Sequence, residues 1–181
     1  MKTLHLTRFA KARVWFGERV TDGFKPDGVI TSSVEKSVAR GPARNVMVGL
    51  EALLPNGARA EYGLVGLEFL PDHLGCLQIE VPYSGMTGIA WPDALAGKLD
   101  EVPLGLPKEY ASAVLASLSS AGEGRVPSGV IRIVDAAHGL VGSSPNFFGK
   151  LTRAALELAL LGGTEVSDDY LASLLRGIII E

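Results

Sequence analysis

Residues 45–82 read NVMVGLEALLPNGARAEYGLVGLEFLPDHLGCLQIEVP, and this stretch decides the fold class. Asn45 to Leu54 is rich in Val, Met and Leu, and the turn residues Pro55-Asn56-Gly57 follow it. Asn-Gly between two apolar runs is a strong hairpin signal, because both residues tolerate positive φ. The pattern therefore predicts a return strand from about Ala58 to Phe69.

A third strand is predicted after a second turn, Pro71 to Gly75. Apolar and polar residues alternate from Leu77 to Val81, which is typical of a strand buried on one face. We therefore expect residues 45–82 to form a three-stranded antiparallel meander, within a mixed or antiparallel sheet.

The flanking segments add further strands and helices. Residues 3–20 alternate loosely and predict one or two strands, whereas Ile30 to Arg40 fits either a short helix or an extended connection. Helix starts are predicted at Pro107, at Ser144-Pro145 and at Ser167, because proline suits the first helical turn and serine caps orphan N–H groups. The fold class expected is α+β, with the helices packed on one face of the sheet.

The composition predicts one folded domain over residues 1–181. The hydrophobic fraction is 47% and the charged fraction is 20%, as in ordinary globular proteins. No apolar run approaches the roughly 20 residues that cross a bilayer, and the N-terminus is a poor signal peptide. With Cys76 as the lone cysteine, no internal disulfide is expected. We expect a cytoplasmic protein that does not contact a membrane.

Charge is unevenly distributed along the chain. The net charge is −3, yet the residues through Arg44 include nine basic and four acidic side chains. A basic first quarter is typical of an anion-binding face, but it could equally be attracted to the acidic remainder of the chain or of a second copy. Arg8, Lys11 and Arg13 lie in this basic quarter.

The densest polar cluster follows a predicted strand and precedes a predicted helix. Asp135, His138 and Ser143 are candidate catalytic residues, because a serine hydroxyl attacks only when a base takes its proton. The alternative is structural: Asp135 ends a strand, His138 lies in a turn and Ser144 caps a helix. No metal-ligand set and no cofactor motif is visible in the sequence, so whether the chain is an enzyme stays open.

The same segment has the composition of an anion site. A glycine-rich turn before a helix N-terminus commonly binds phosphate, which makes Ser143, Ser144 and Asn146 candidate ligand-binding residues. Residues 139–144 also resemble the Gly-Leu-Gly-Ser-Ser loop of GHMP-type small-molecule kinases, with Val141 inserted before the second glycine.

The order of features over residues 98–161 resembles domain IV of translation elongation factor G. The segments that carry the resemblance are Leu106–Tyr110, Ile131–Ile133, Gly142–Lys150 with its Ser-Ser turn, Ala154-Ala155 and the upstream pair Tyr62-Gly63. The resemblance implies a left-handed βαβ fold, which ribosomal proteins and GHMP kinases share. The fold does not select a function, but RNA contact is common among the relatives, which makes the basic N-terminal segment of interest; GTPase activity is not implied.

Three hypotheses about function follow. The first is a non-catalytic binding domain that contacts RNA or the ribosome, with Arg8, Lys11 and Arg13 as the candidate RNA-binding residues; the resemblance and the basic first quarter support it. The second is a homo-oligomeric assembly protein, joined through the C-terminal helix and the tail Ile178 to Ile180. The third is a small-molecule or phosphate-ligand enzyme that uses the loop 135–146. The long, glycine- and proline-rich connection 83–106 is also of interest, because long connections in compact domains are often functional.

Overall fold

The computed structural model describes residues 1–35, 44–57, 59–72, 75–85, 88–97, 99–162 and 166–180. The strands are β1 (Lys2–His5), β2 (Lys11–Phe16), β3 (Gly28–Glu35), β4 (Val46–Asn56), β5 (Arg59–Pro71), β6 (Cys76–Tyr83) and β7 (Gly129–His138). The helices are α1 (Lys108–Gly122), α2 (Pro145–Leu160) and α3 (Asp168–Leu175), and a π-helical turn, Arg176–Ile180, continues α3.

The seven strands form one mixed sheet in the order β1-β2-β4-β5-β7-β6-β3. Neighbouring strands are antiparallel except β6 and β7, which are parallel and are joined through α1. A parallel pair needs such a crossover, because a short turn can join only antiparallel neighbours. The α+β class is therefore confirmed.

The predicted hairpin is confirmed, but the predicted meander is wrong. β4 and β5 pair antiparallel from Val46 opposite Phe69 to Asn56 opposite Arg59. The third strand, β6, does not pair with β5, because β7 lies between them. Local turn signals could not show this insertion, because β7 begins more than 45 residues after β6 ends. One edge of β7 pairs with β5 and the other edge pairs with β6.

The helices pack on one face of the sheet, which we call the helix face. Alternate residues of β4, from Val46 to Leu54, are buried there against the same core as Phe148 and Leu151 of α2. The predicted cap of α2 is confirmed, because the Ser144 hydroxyl accepts from the Phe147 N–H at 3.2 Å and Pro145 begins the helix. This cap fixes where the turn before α2 ends.

The opposite face carries the long connection. Residues 88–97 and 99–106, here called the strap, cover a second apolar cluster that includes Tyr62, Leu64 and Ala137. Backbone bonds hold the strap in place, among them Gly105 N–H to Ala136 O at 2.8 Å. We call this side of the sheet the strap face.

The C-terminal tail packs against its own chain. Ile179 is buried, and its carbonyl accepts from Lys150 Nζ of α2 at 3.4 Å. Lys2 Nζ meets Asp168 at 2.8 Å, which ties α3 to the first strand. Assembly through this tail stays a prediction. None of the helices in the described ranges has both the length and the apolar character needed to cross a membrane.

Candidate functional site

A bulge in β7 decides which face of the sheet each of the predicted catalytic residues Asp135 and His138 occupies. Gly66 lies opposite Asp135 and Leu67 opposite Ile133, so Val134 is an extra residue in β7. Because side chains alternate along a strand, this extra residue changes which face the following side chains occupy. Asp135 consequently lies on the strap face rather than in the apolar core under the helices.

Asp135 anchors a loop. Its buried carboxylate accepts from the Val20 N–H at 3.1 Å and from the Thr21 hydroxyl at 2.7 Å, and it pairs with Arg19 at 3.1 Å. Gly66 leaves the room for it, since a Cβ there would lie 2.7 Å from Asp135 Cβ. The carboxylate therefore holds the loop after β2 onto the sheet.

His138 lies on the other face of the same strand. Its ring meets Tyr110 of α1 edge to face, with the centroids 5.9 Å apart. Its Nδ1 is 3.0 Å from the Gly105 carbonyl oxygen, within hydrogen-bond distance. Asp135 and His138 thus point to opposite faces, and the structure does not bring the predicted acid and base together.

The two serines lie side by side in the turn before α2. Ser143 Oγ donates to the Tyr62 carbonyl at 2.6 Å and accepts from the Gly139 N–H at 2.8 Å. Ser144 caps the helix and donates to Glu61 Oε1 at 3.3 Å. Asn146 is exposed in the first turn of α2. Both hydroxyls therefore have partners within the fold.

The glycine-rich turn does hold an anionic group, which belongs to the strap. The Asp100 carboxylate accepts from the Val141 N–H at 3.1 Å and from the Gly142 N–H at 2.7 Å. A Cβ at Gly139 would lie 2.2 Å from Asp100 Oδ2, so the absence of a side chain there allows this approach. Ligand binding by Ser143, Ser144 and Asn146 stays a prediction, and the sequence does not identify the Asp100 carboxylate that this turn holds.

A second carboxylate holds the middle of the strap. Glu51 of β4 is 0% exposed. Its Oε1 accepts from the Leu95 N–H at 2.7 Å and from the Tyr62 hydroxyl at 3.1 Å, and Arg13 lies 3.4 Å from Oε2. Arg13 also donates to the Asp93 carbonyl at 2.7 Å. Arg13, one of the three predicted RNA contacts, therefore takes part in this network.

Burial has the largest effect on the pKa values of Glu51 and Tyr62 in this network. It raises the pKa of Glu51 from 4.5 to about 7, against the lowering effect of the Leu95 N–H and of Arg13. Burial, together with Glu51, also raises the pKa of the Tyr62 hydroxyl well above its usual range. A carboxyl that titrates near neutrality has the acidity of a general acid or base. Because Glu51 lies fully covered beneath the strap, its role in this structure is to fix the strap.

A cleft of about 600 Å³ opens at the end of the sheet. That volume is within the range of small-molecule and cofactor sites. The β4–β5 hairpin, the strap and the turn before α2 enclose it, and its walls include Phe9, Leu53, Arg59, Leu99, Asp100 and Val141.

The mouth of the cleft is basic and aromatic. Phe9 is 65% exposed, and the Arg8 guanidinium lies over its ring at 5.0 Å from the centroid. Lys11 is the cross-strand partner of Leu53, which places it beside the cleft. No ion pair within the described ranges involves Arg8, Lys11 or Arg59. We call Arg8, Phe9, Lys11 and Arg59 the basic rim.

Two of the four rim residues, Arg8 and Lys11, are among the predicted RNA contacts, whereas the sequence analysis did not single out Phe9 or Arg59. Phe9 lies between Arg8 and Lys11 in the β1–β2 turn. An aromatic residue within a short basic stretch was the available signal that this residue is exposed at a binding surface. Arg59 follows the Asn-Gly turn, and only the pairing of β2 with β4 shows that the two turns are close.

No cluster of three metal-ligating side chains occurs in the part of the chain that the structure describes. Comparison with known proteins finds no family model that matches this chain and no curated protein that is similar to it.

Proposed function

We propose that this chain is a non-catalytic binding domain that contacts single-stranded RNA through the cleft and its basic rim. The observation that carries the proposal is Phe9, a large aromatic ring left exposed at the mouth of a cleft, with the Arg8 guanidinium 5.0 Å from the ring centroid. Nucleic-acid bases stack on exposed aromatic rings, and arginine adds a cation–π contribution.

The charges of the rim support the same function. Arg8, Lys11 and Arg59 carry three positive charges around one cleft, and no described carboxylate forms an ion pair with them. Five of the eleven other described lysines and arginines form ion pairs, namely Lys2, Arg13, Arg19, Arg125 and Arg132. Cations that the fold leaves unpaired can neutralise phosphates at little cost in desolvation.

The resemblance to domain IV of elongation factor G supports RNA as the partner. We propose that this chain and that domain share a βαβ arrangement and an RNA-contacting role. The β6–α1–β7 crossover and α2 contain most of the segments that resemble that domain, from Leu106–Tyr110 through Ala154-Ala155.

Direct binding measurements test the proposal. Fluorescein-labelled oligouridine is titrated with the protein at about 50 mM salt, and anisotropy gives the affinity. Loss of one stacking platform costs about 1–3 kcal/mol per base, so Phe9→Ala should bind about tenfold more weakly.

Tyr170→Ala is the matched control, because Tyr170 is also an exposed aromatic residue (50%) but lies on α3. It should bind as the wild type does. The proposal is overturned if the wild type shows no binding at low salt, or if Phe9→Ala and Tyr170→Ala have the same affinity.

A further inference from the structure

β3 forms one edge of the sheet, and this edge is open to pairing. Within the part of the chain that the structure describes, β3 pairs with β6 on one side and with no strand on the other. The run from Gly28 to Val34 contains no charged residue and no proline, the residues that commonly block such an edge. The run is rich in β-branched residues, which favour strand pairing.

The opposite edge of the sheet is protected. β1 has only four residues, and its Lys2 forms an ion pair with Asp168 of α3. Short strands and charged side chains are the usual means by which proteins prevent edge-to-edge association. β3 has eight residues and carries neither form of protection over the run from Gly28 to Val34.

β3 also leaves apolar side chains incompletely covered. Ile30 and Val34 pack against the core under the helices but are only half-buried, and Val29, on the strap face, is 52% exposed. No residue of β3 is fully buried. A strand added to this edge would cover these side chains and would pair with the N–H and C=O groups that point away from β6.

α1 runs beside this edge over its whole length. Lys108 Nζ, at the start of α1, lies 5.4 Å from the ring centroid of Tyr83, the cross-strand partner of the first residue of β3. At the end of α1, a Cβ on Gly122 would lie 3.0 Å from Leu77, the cross-strand partner of Val34. The helix therefore spans the same length as the uncharged run of β3.

One side of α1 contacts α2, and the other side lies toward the β3 edge. Tyr110 stacks on Phe148 of α2, and the Ser117 hydroxyl donates to the Gly149 carbonyl at 2.8 Å. Four residues recur at helical spacing on the side away from α2, with a cation at the start, an anion at the end and two short side chains between them: Lys108, Ser112, Ser119 and Glu123. Among the described residues, no ion pair involves either of the two charged ones.

We infer that two copies of this chain associate through β3, antiparallel about a two-fold axis at Thr31, so that their sheets join into one continuous sheet. Such an axis reverses α1 together with β3, so Lys108 of each copy lies beside Glu123 of the other. This match of opposite charges is the reason to choose a second copy as the occupant, because a two-fold axis repeats it at both ends of the interface.

The spacing of the helices agrees with this arrangement. α1 packs on both β6 and β3, so it lies above the boundary between the last two strands of the sheet. With strands about 4.8 Å apart, the two copies of α1 would lie about 10 Å from each other, which is an ordinary distance between packed helices. The short side chains of Ser112 and Ser119 leave room for this approach.

The mass of the protein in solution tests the inference. Sedimentation velocity at protein concentrations up to about 100 μM should give twice the 19.0 kDa of one chain. Thr31→Lys should give a monomer, because the two lysines would lie directly opposite each other across the axis. Thr31 is exposed in the single chain, so the fold of each copy should be unchanged by circular dichroism.

Thr3→Lys is the matched control, because Thr3 is also an exposed threonine in an edge strand but belongs to β1. It should have the same mass as the wild type. The inference is overturned if the wild type is a monomer over the whole concentration range, if Thr31→Lys remains a dimer, or if the two lysine variants behave alike.

Exchange of the two charges on α1 gives a second readout, which does not depend on the folding of Thr31→Lys. Lys108→Glu and Glu123→Lys each place like charges across the interface and should weaken the dimer several-fold. Both substitutions in one chain bring opposite charges together again and should restore the wild-type affinity. A double variant that dimerises no more tightly than the single variants would contradict this arrangement of the two copies.

Discussion

Asp100 Oδ2 lies 2.7 Å from the Gly142 nitrogen, and this contact joins the strap to the turn before α2. Gly142 is held on its other side too, since its carbonyl accepts from the Tyr62 N–H at 2.7 Å. One short turn therefore meets both β5 and the strap, and it closes one wall of the cleft.

Gly142→Ala should destabilise the protein. A Cβ at this position would lie 2.5 Å from the Ala60 carbonyl oxygen, and backbone cannot move aside as a flexible side chain can. Overpacking of this kind costs about 1–3 kcal/mol. Urea unfolding monitored by circular dichroism measures the change in the free energy of unfolding.

Gly149→Ala is the control for that variant. Gly149 lies inside α2, and a Cβ there would meet no atom within 4 Å. Alanine in a helix interior is favoured over glycine by about 0.5–1 kcal/mol, so this variant should be more stable than the wild type. Equal effects of the two alanines would contradict the packing described for Gly142.

Glu51→Gln should change how stability depends on pH. The folded protein holds the Glu51 proton more tightly than the unfolded chain, because its pKa is about 7 in place of 4.5. This group therefore favours folding most below the unfolded pKa, and that contribution is lost as pH rises through the folded pKa. As the pH rises from about 5 to about 8, the free energy of unfolding should therefore fall by about 2 kcal/mol on account of Glu51.

Chemical denaturation at the two pH values measures this difference. The wild type should lose about 2 kcal/mol more than Glu51→Gln between them, because glutamine does not titrate. Glu101→Gln, which removes an exposed carboxylate from the same strap, should follow the wild type. If the free energy of unfolding falls as much for Glu51→Gln as for the wild type, burial does not raise the pKa of Glu51.

Asp135→Ala should lower the free energy of unfolding. The substitution leaves the Val20 N–H and the Thr21 hydroxyl without their shared acceptor and removes the partner of Arg19. The loss of such a buried, hydrogen-bonded charge costs about 3–5 kcal/mol. Thermal and urea unfolding check this figure.

Asp22→Ala, an exposed carboxylate in the same loop, should stay within about 0.5 kcal/mol of the wild type. An Asp135→Ala protein as stable as Asp22→Ala would contradict the anchoring role. A catalytic role for Asp135, by contrast, predicts little change in stability.

Local signals predicted what depends on near neighbours in the chain. The Asn-Gly turn identified the β4–β5 hairpin, and Ser144 and Ser167 identified the starts of α2 and α3, because a turn or a cap involves only a few consecutive residues. The π-helical end of the chain has no such marker and was not predicted.

Long-range relationships were not visible in the sequence. The extra residue Val134 shifts Asp135 to the strap face, and no sequence signal marks that bulge. Glu51 reads as one charged residue in an apolar strand, and only the folded strap supplies its partner Leu95. Three turns that are far apart along the chain line the cleft, so the residues of its walls could not be predicted from hydrophobic periodicity.

Salt dependence of RNA binding tests the central claim most directly. If Arg8, Lys11 and Arg59 each neutralise one phosphate, the logarithm of the binding constant should fall with the logarithm of salt concentration with a slope of about −2. Replacing all three by glutamine should bring the slope close to zero, while the control Lys25→Gln with Arg153→Gln, two other exposed cations, should keep it. A wild-type slope near zero, or equal slopes for the two variants, would contradict RNA binding at the basic rim.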